Sequence, residues 1–179
     1  MKKLILAIAC IFYINILYAQ QMLVPVDEGS KVHFVIKNFG IRTGGDFSGL
    51  KGSIRFNLVD ISVWSFDVTV DAATVDTDNN SRDGHLRKPE YFDAEKFPVI
   101  RMVSTRVQPT ANAGTYLFTG TLSIKGITKS VQFPFRVNRW GDGYLFTGEF
   151  GINRRDFGVG GSSVSLSDNL KISLSILAK

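Results

Sequence analysis

The sequence predicts an all-β fold, an eight-stranded antiparallel barrel with one short helical segment as a lid. Three observations predict it: apolar and polar residues alternate in many short runs, clusters of Gly, Asn and Asp separate the runs, and a single stretch has a helical pattern. Alternation places one set of side chains on an apolar face, and many antiparallel strands with tight turns form a sandwich or a barrel. A barrel is favoured because eight strands can close without edges and enclose a small ligand.

The strands are predicted where the alternation is strictest. In WSFDVTVD, Trp64, Phe66 and Val68 alternate with polar residues, and Leu170 and Ile172 repeat the pattern near the end of the chain. The stretches FGIRTGGD, ANAG, NRWGDG, GVGG and SDN supply residues that tolerate positive φ in tight connections. The eight predicted strands span residues 31–38, 45–57, 63–73, 97–107, 114–124, 127–138, 143–153 and 168–178.

The helical stretch, residues 82–92, lies within the charged run DTDNNSRDGHLRKPEYFDAEKFP. Pro89 would interrupt a long helix, so two short turns are expected there. Asp78 or Ser81 is the predicted N-cap. Leu86, Tyr91 and Phe92 would then form a small apolar face that docks on the barrel as a lid.

Residues 1–19 are predicted to be a secretory signal peptide. Lys2 and Lys3 begin it, residues 4–17 are almost wholly apolar, and Ala19 is followed by the predicted cleavage site. The apolar run is shorter than the ~20 residues that span a bilayer, so no transmembrane span is expected after cleavage, although an uncleaved anchor is an alternative. Residues 20–179 would then form one domain, located in the periplasm or outside the cell.

The charge pattern argues against nucleic-acid binding. The formal charge of +5 falls to +3 once Lys2 and Lys3 are removed, and the remaining basic residues are scattered among acidic ones. Nucleic-acid-binding proteins usually concentrate their basic residues on one face. No nucleic-acid partner is therefore predicted.

A calcium loop is excluded in the charged run by its spacing. Asp76, Asp78 and Asn80 match the first three ligand positions of an EF-hand loop, but Ser81 replaces the turn glycine and Arg87 replaces the final acid. An arginine puts a positive charge where calcium needs a bidentate carboxylate. No metal site is predicted here.

Zinc and triad chemistry also lack their residues. The chain has two histidines, His33 and His85, and its single cysteine, Cys10, lies in the predicted signal peptide. Asp83 and His85 are close in sequence but have no nucleophile elbow beside them. None of these patterns requires an enzyme, and an enzyme that uses the Asp83/His85 loop on a lipid or a small stress-related substrate is kept as an alternative.

The inward faces are rich in phenylalanine, with 14 Phe in the chain. Sites that hold apolar ligands are lined by aromatic and aliphatic groups, so an apolar cavity is predicted, the alternative being a barrel filled by its own side chains. The residues predicted to line the cavity are Phe34, Ile36, Phe47, Phe56, Trp64, Phe66, Met102, Phe118, Phe133, Phe135, Phe146 and Phe150.

Several ordered blocks of this sequence resemble one known family. In the charged run the matching residues are Thr77, Arg82-Asp83, His85-Leu86, Tyr91-Phe92-Asp93 and Phe97-Pro98. Outside it they are residues 34–37, 39–40, 45–47, 50–52, 120–129 and 152–158. Over nearly the whole chain these blocks resemble the YceI-like, polyisoprenoid-binding family of bacterial periplasmic proteins.

The resemblance implies a lipocalin-like barrel that binds a long apolar chain. The predicted function is non-enzymatic binding, transport or storage of a polyisoprenoid, an isoprenoid quinone or a fatty-acid derivative, with no cofactor other than that lipid. Asn38 stands where members of the family often carry His, so ligand choice could differ. Whether the chain is a monomer or a homodimer is left open.

A set of charged residues is predicted either to contact the ligand head group or to hold the lid. In the second interpretation, Arg82 pairs with Asp83 and Arg155 with Asp156. The full set is Arg82, Asp83, His85, Arg154, Arg155 and Asp156.

Overall fold

A computed structural model of the chain describes residues 21–179, so the predicted signal peptide lies outside the described residues. One helix, α1 (Asn80–Leu86), and three short 3-10 turns (Ile61–Val63, Ala72–Thr74 and Arg154–Phe157) accompany the strands. The described strands are β1 (Gln21–Leu23), β2 (Pro25–Asn38), β3 (Ile41–Phe47), β4 (Lys51–Phe56), β5 (Ser65–Asp71), β6 (Val99–Pro109), β7 (Thr115–Ile124), β8 (Ile127–Trp140), β9 (Gly143–Asn153) and β10 (Leu166–Ala178).

These strands form one curled antiparallel sheet in the order β1-β4-β5-β6-β7-β8-β9-β10-β2-β3. The N-terminal segment joins distant parts of the sheet, because β1 pairs with β4 whereas β2 pairs with β10. At the break between β1 and β2, Val24 exchanges two backbone hydrogen bonds with Lys179, of 2.8 and 3.1 Å. The sheet is thereby drawn together into a half-barrel at this end.

At the opposite edge of the sheet, β3 is tied to the lid and not to another strand. We define the lid as residues 76–98. Asp46 of β3 and Asp76 of the lid exchange backbone hydrogen bonds of 2.8 and 3.0 Å. The lid therefore satisfies part of the free edge of β3, which would otherwise expose unpaired backbone groups.

The all-β class and the helical lid are confirmed, but the strand count differs in detail. The predicted strand 45–57 is two strands, since the chain turns at residues 48–50, where Gly49 has a φ of 75°. The short strand β1 adds the tenth. The phase of the alternation shifts between Phe47 and Leu50, and the predicted strand 45–57 did not take this shift into account.

The N-cap of helix α1 lies between the two predicted caps. Asn79 is the N-cap, and its side chain accepts a hydrogen bond of 3.0 Å from the Arg82 backbone N–H. Asp78 instead adopts a φ of 58°, which turns the chain into the helix. The prediction of Asp78 or Ser81 as cap was wrong, because an Asn satisfies the same donor from the intervening position.

After Leu86 the lid continues as consecutive turns, as Pro89 requires. The backbone N–H of Phe92 donates to Leu86 O at 3.0 Å, and that of Ala94 donates to Arg87 O at 3.0 Å. Within residues 21–179, no helix has the length and apolar character needed to cross a membrane.

The aromatic part of the core lies toward the end of the half-barrel near Val24 and Lys179. Most of its aromatic pairs meet edge-on or tilted, as for Phe66 and Phe135, whose centroids lie 5.5 Å apart, whereas Phe118 and Phe133 are stacked at 4.8 Å. Both kinds of pair are favourable beyond their buried area. We call this set the aromatic plug: Phe56, Trp64, Phe66, Phe118, Phe133, Phe135, Tyr144 and Phe146.

Candidate functional site

Between the curled sheet and the lid lies a cavity of about 550 Å³. It begins where the aromatic plug ends along the same strands: on β5 the plug residue Phe66 is followed by Val68 and Val70 in the cavity wall. On β9, Phe146 belongs to the plug and Phe150 to the wall. The cavity therefore has a closed aromatic floor.

The structure brings five of the twelve predicted lining residues into the cavity wall. These are Phe34, Ile36, Phe47, Met102 and Phe150. The ring of Phe150 stacks on Phe133 of the plug at 4.4 Å, so it forms the boundary between floor and wall.

The other seven predicted residues are not in the cavity wall, because they pack against one another in the plug. Alternation fixes which side of the sheet a residue faces, but it does not fix the residue's position along the barrel axis. Only strand register decides that position. The seven are Phe56, Trp64, Phe66, Phe118, Phe133, Phe135 and Phe146.

Much of the wall is formed by apolar residues that were not predicted from the sequence to lie in the site. The period-two alternation of β10 was recognised, and it could have identified the half of these wall residues that lie on that strand. The omitted apolar wall residues of β2, β10 and the lid include Val32, Leu86, Tyr91, Phe92, Leu166, Leu170, Ile172 and Leu174.

Partial exposure distinguishes the wall from the plug. Phe34, Ile172 and Leu174 point inward yet are only half-buried. Inward residues of the plug, such as Phe56 and Phe118, are buried against neighbouring rings. An inward apolar face that lacks neighbours is the structural signature of a site that can accept an apolar ligand.

Aromatic contacts dock the lid on the wall. Phe92 meets Phe47 of β3 edge-on, with centroids 5.3 Å apart. On the far side, the Gly160 backbone N–H donates to Glu90 O at 2.8 Å, and a Cβ at Gly160 would lie 3.0 Å from the Tyr91 ring. Glycine at this position lets the chain approach the lid closely.

Asp83 and Arg82 both form hydrogen bonds with Thr77 and do not pair with each other. Asp83 is 4% exposed, and its carboxylate accepts hydrogen bonds from both the backbone N–H (3.0 Å) and the hydroxyl of Thr77. Arg82 donates from Nε to the Thr77 hydroxyl at 2.7 Å and from Nη2 to the Thr77 carbonyl. The predicted Arg82–Asp83 pair is replaced by this network because the turn at Asp78 folds Thr77 back over α1.

Arg154 is buried and its guanidinium is fully engaged. At 4% exposure it donates to Ser167 O (3.0 Å), Val159 O (2.9 Å) and the Asp168 carboxylate (2.7 Å). Its side chain borders the cavity. Because all three nitrogens have acceptors, Arg154 fixes the 3-10 turn and the start of β10 in place.

Asp168 is also the partner of Arg155, at 3.6 Å, whereas Asp156 is exposed on the other side of the turn. The predicted Arg155–Asp156 pair is thus replaced by a pair with Asp168. Adjacent residues of a 3-10 turn point in different directions, and the true partner is supplied by β10. The sequence offered no local signal for Asp168.

The two histidines have separate environments. His33 Nδ1 lies 2.7 Å from Asp46 Oδ1, and the residue also borders the cavity. The exposed ring of His85 packs on Tyr91 with centroids 4.8 Å apart. Among the described residues, no group of three or more His, Cys, Asp or Glu side chains could hold a metal ion.

The cavity opens where its lining residues are themselves exposed. These residues belong to three segments: the end of β2 (Asn38), helix α1 (Arg82 and His85) and residues 161–163. We call this opening the mouth. It combines polar side chains with an apolar interior, an arrangement that suits a ligand with one polar end and a long apolar body.

Comparison with known proteins agrees with this architecture. A "UPF0312 protein" of Shewanella denitrificans is 29% identical over 153 residues, which is 81% of this chain and 79% of that protein. Among solved structures, Burkholderia cenocepacia BcnA is similar with a TM-score of 0.78 at 28% identity, covering 84% of this chain and 96% of that one.

A more distant likeness is one of fold alone. A structure described as a polyisoprenoid binding domain from Saccharophagus degradans has a TM-score of 0.69 at 15% identity, over 90% of this chain and 99% of that one. The profile of the YceI-like domain matches residues 25–178, which is nearly all of the described chain. The protein therefore belongs to the YceI-like domain family.

Proposed function

We propose that the protein binds one long apolar chain in its cavity and carries or stores it without chemical change. The observation that carries this proposal is the cavity itself: about 550 Å³, closed by aromatic rings at one end and open at a polar mouth at the other. This volume lies within the ~300–1,000 Å³ of small-molecule sites. The Saccharophagus degradans protein, described as a polyisoprenoid binding domain, supports the same ligand class.

The volume of the cavity limits the length of the ligand's apolar chain that it can hold. A methylene group is about as large as a water molecule, which occupies roughly 30 Å³ of liquid. The cavity of about 550 Å³ then has room for about 18 chain atoms. A fatty-acid derivative or about three to four isoprene units would fit inside, whereas a longer polyisoprenoid or quinone tail would extend through the mouth.

Burial of the ligand's apolar chain in the cavity supplies the binding affinity. Each methylene removed from water contributes about 0.8 kcal/mol, so ten of them give about 8 kcal/mol before the cost of association. The polar end of the ligand would lie near Arg82 and His85, because both are exposed at the mouth, whereas Arg154 is buried with acceptors on all three nitrogens. The protein would act in the periplasm or outside the cell.

The geometry does not favour the enzymatic alternative. Asp83 is buried with its carboxylate on Thr77, while the His85 ring packs on Tyr91 in the exposed part of the mouth. An acid that orients a catalytic histidine must hydrogen-bond to it. This arrangement favours a structural role of the Asp83/His85 loop in the lid over a catalytic role.

Lipid extraction and a competition assay test the proposal. Organic extracts of the natively purified protein are analysed by mass spectrometry, and the delipidated protein is titrated with cis-parinaric acid, which fluoresces in apolar sites. We expect one bound probe per chain, displaced by farnesol, geranylgeraniol and solanesol. No extracted lipid together with no probe uptake would contradict the proposal.

A further inference from the structure

An apolar tip projects into solvent beside the mouth. Phe39, in the turn between β2 and β3, is 78% exposed, Ile41 is 71% exposed, and Val164 is fully exposed. The Phe39 backbone N–H donates to Ser165 O at 2.8 Å, which brings the turn and the 161–165 segment together. We call Phe39, Ile41 and Val164 the mouth tip.

The backbone of the tip does not explain the presence of Phe39. Phe39 has a φ of 50° and Gly40 a φ of 77°, the two positive values of a type I′ hairpin turn. Asn or Gly is the favoured first residue of this turn, and an aromatic side chain there is locally unfavourable. Folding would be served better by Asn, so an exposed Phe at this position points to a contact outside the chain.

Two exposed cations flank the tip. Lys37 of β2 lies directly opposite Arg42 of β3, and both are exposed. Like charges in this arrangement repel across a sheet. Within residues 21–179 neither one forms an ion pair. An anionic surface would neutralise both.

The tip adjoins the cavity. Asn38, which lies between Lys37 and Phe39, is itself a lining residue of the mouth. Its partner across the sheet, Leu166, lines the cavity as well. A surface that contacts the mouth tip would therefore lie directly over the opening.

We propose that the mouth tip inserts into the surface of a bilayer that contains anionic phospholipid. Phe39, Ile41 and Val164 enter the boundary between head groups and acyl chains, and Lys37 and Arg42 contact lipid phosphates. In this orientation an apolar chain passes between bilayer and cavity without crossing water. The transfer step rests on the proposed lipid-binding function, whereas the docking step does not.

A competing surface lies at the other end of the molecule. Trp140, next to Gly141 in the β8–β9 turn, is 61% exposed. It is near the closed end, because Gly143 packs against Ala178 at the end of β10, whereas the mouth adjoins Leu166 at its start. Docking through Trp140 would turn the mouth away from the bilayer, so a Trp140 variant is the matched control.

Co-sedimentation with vesicles tests the docking. The full chain is mixed with phosphatidylcholine vesicles with or without phosphatidylglycerol. We expect Phe39→Asn to lower partitioning at least ten-fold, while thermal stability stays equal or rises because Asn suits the turn. Lys37→Gln and Arg42→Gln should each lower partitioning roughly five-fold on anionic vesicles only, and high salt should remove this difference.

The control variants decide between orientations. Trp140→Ser should partition like the wild type. In a Trp140→Phe background, Phe39→Trp should show a blue-shifted emission on adding anionic vesicles. Unchanged partitioning of Phe39→Asn, or loss of partitioning in Trp140→Ser, would overturn the proposal. The proposal would also be overturned if Phe39→Asn abolished self-association in analytical ultracentrifugation without changing vesicle binding. The tip would then be a contact with a second copy of the chain.

A solution assay separates this proposal from the proposed function. Uptake of cis-parinaric acid without vesicles should be equal in the wild type and in Phe39→Asn, because Phe39 is not in the cavity wall. Transfer of the probe from anionic vesicles should be slower in the variant. Absent uptake in both proteins would refute the cavity's function, whereas equal transfer rates with intact uptake would refute transfer through the mouth tip.

Discussion

At the scale of single residues, burial changes what an arginine does. Arg154 and Arg155 are neighbours in one 3-10 turn and both reach Asp168, but Arg154 is buried with three acceptors and Arg155 is half-exposed at 3.6 Å. A buried charge that loses its partner is strongly destabilising, whereas an exposed pair contributes little. The sequence shows two similar arginines, and the structure separates their roles.

We expect Arg154→Met to lower the free energy of unfolding by about 3–5 kcal/mol, because two backbone carbonyls and Asp168 lose their donor. Arg155→Met is the matched control and should cost less than about 1 kcal/mol. Urea unfolding of the three proteins measures both values. Equal losses in the two variants would show that the buried network is not what stabilises the turn.

The aromatic residues also divide by position. Phe56→Ala should lower the free energy of unfolding by about 3–5 kcal/mol, because a ring in the plug leaves an unfilled cavity. Phe34→Ala should cost less, since the Phe34 ring already borders open space, but it should weaken binding of cis-parinaric acid. Urea unfolding and probe titration on both variants check this contrast. A larger loss of stability in Phe34→Ala would contradict the assignment of plug and wall.

At the scale of elements, charged side-chain pairs connect neighbouring strands on the outer face of the sheet. Arg101 of β6 holds Asp67 of β5 with two hydrogen bonds, from Nε at 2.8 Å and from Nη2 at 2.6 Å. Lys171 of β10 similarly reaches Glu149 of β9 at 2.6 Å. The hydrogen bond from Arg101 lowers the pKa of Asp67, and that from Lys171 lowers the pKa of Glu149.

The lowered pKa of Asp67 predicts a pH-dependent contribution to stability. Because the folded carboxyl has a lower pKa than the unfolded one, its stabilisation is present above the ordinary aspartate pKa and is lost as pH falls through the lowered value. Against Asp67→Asn, the wild type should be more stable at neutral pH by no more than about 1 kcal/mol, as for exposed pairs. Chemical unfolding at neutral and strongly acidic pH measures this difference, and a difference that does not change with pH would contradict it.

At the scale of the whole molecule, the half-barrel is filled at one end and open at the other. Along β10, Ile176 is buried in the core where it borders the cavity, whereas Ile172 and Leu174 on the same face are only half-buried in the cavity wall. Stability thus comes mainly from the plug, and the lid covers a wall that is free to accept a ligand. This division predicts that the cavity can be filled artificially without loss of the fold.

Leu174→Trp should fill part of the cavity and lower affinity for cis-parinaric acid at least ten-fold, with little change in melting temperature, because the added ring occupies existing space. Ser175→Trp, on the outer face of the same strand, is the matched control and should bind like the wild type. Probe titration and thermal unfolding measure both variants. Equal binding by the two Trp variants would show that the ligand does not occupy this cavity.

The sequence by itself determined the local features of this protein. Period-two alternation identified the all-β class and placed most strands, since side chains on a strand point to opposite faces. Pro89 indicated the divided lid, and the spacing of the charged run excluded an EF-hand. The sequence blocks also identified the family, which the profile match over residues 25–178 confirmed.

Only the tertiary structure decided where along the barrel each inward residue lies. Phe66 and Val68 face the same way in one strand, yet strand register and sheet curvature put the first in the plug and the second in the cavity wall. Asp168 became the partner of Arg154 and Arg155 because β10 folds back over the turn. Local patterns report the direction of a side chain, whereas neighbours distant in sequence determine whether it meets other side chains or an open cavity.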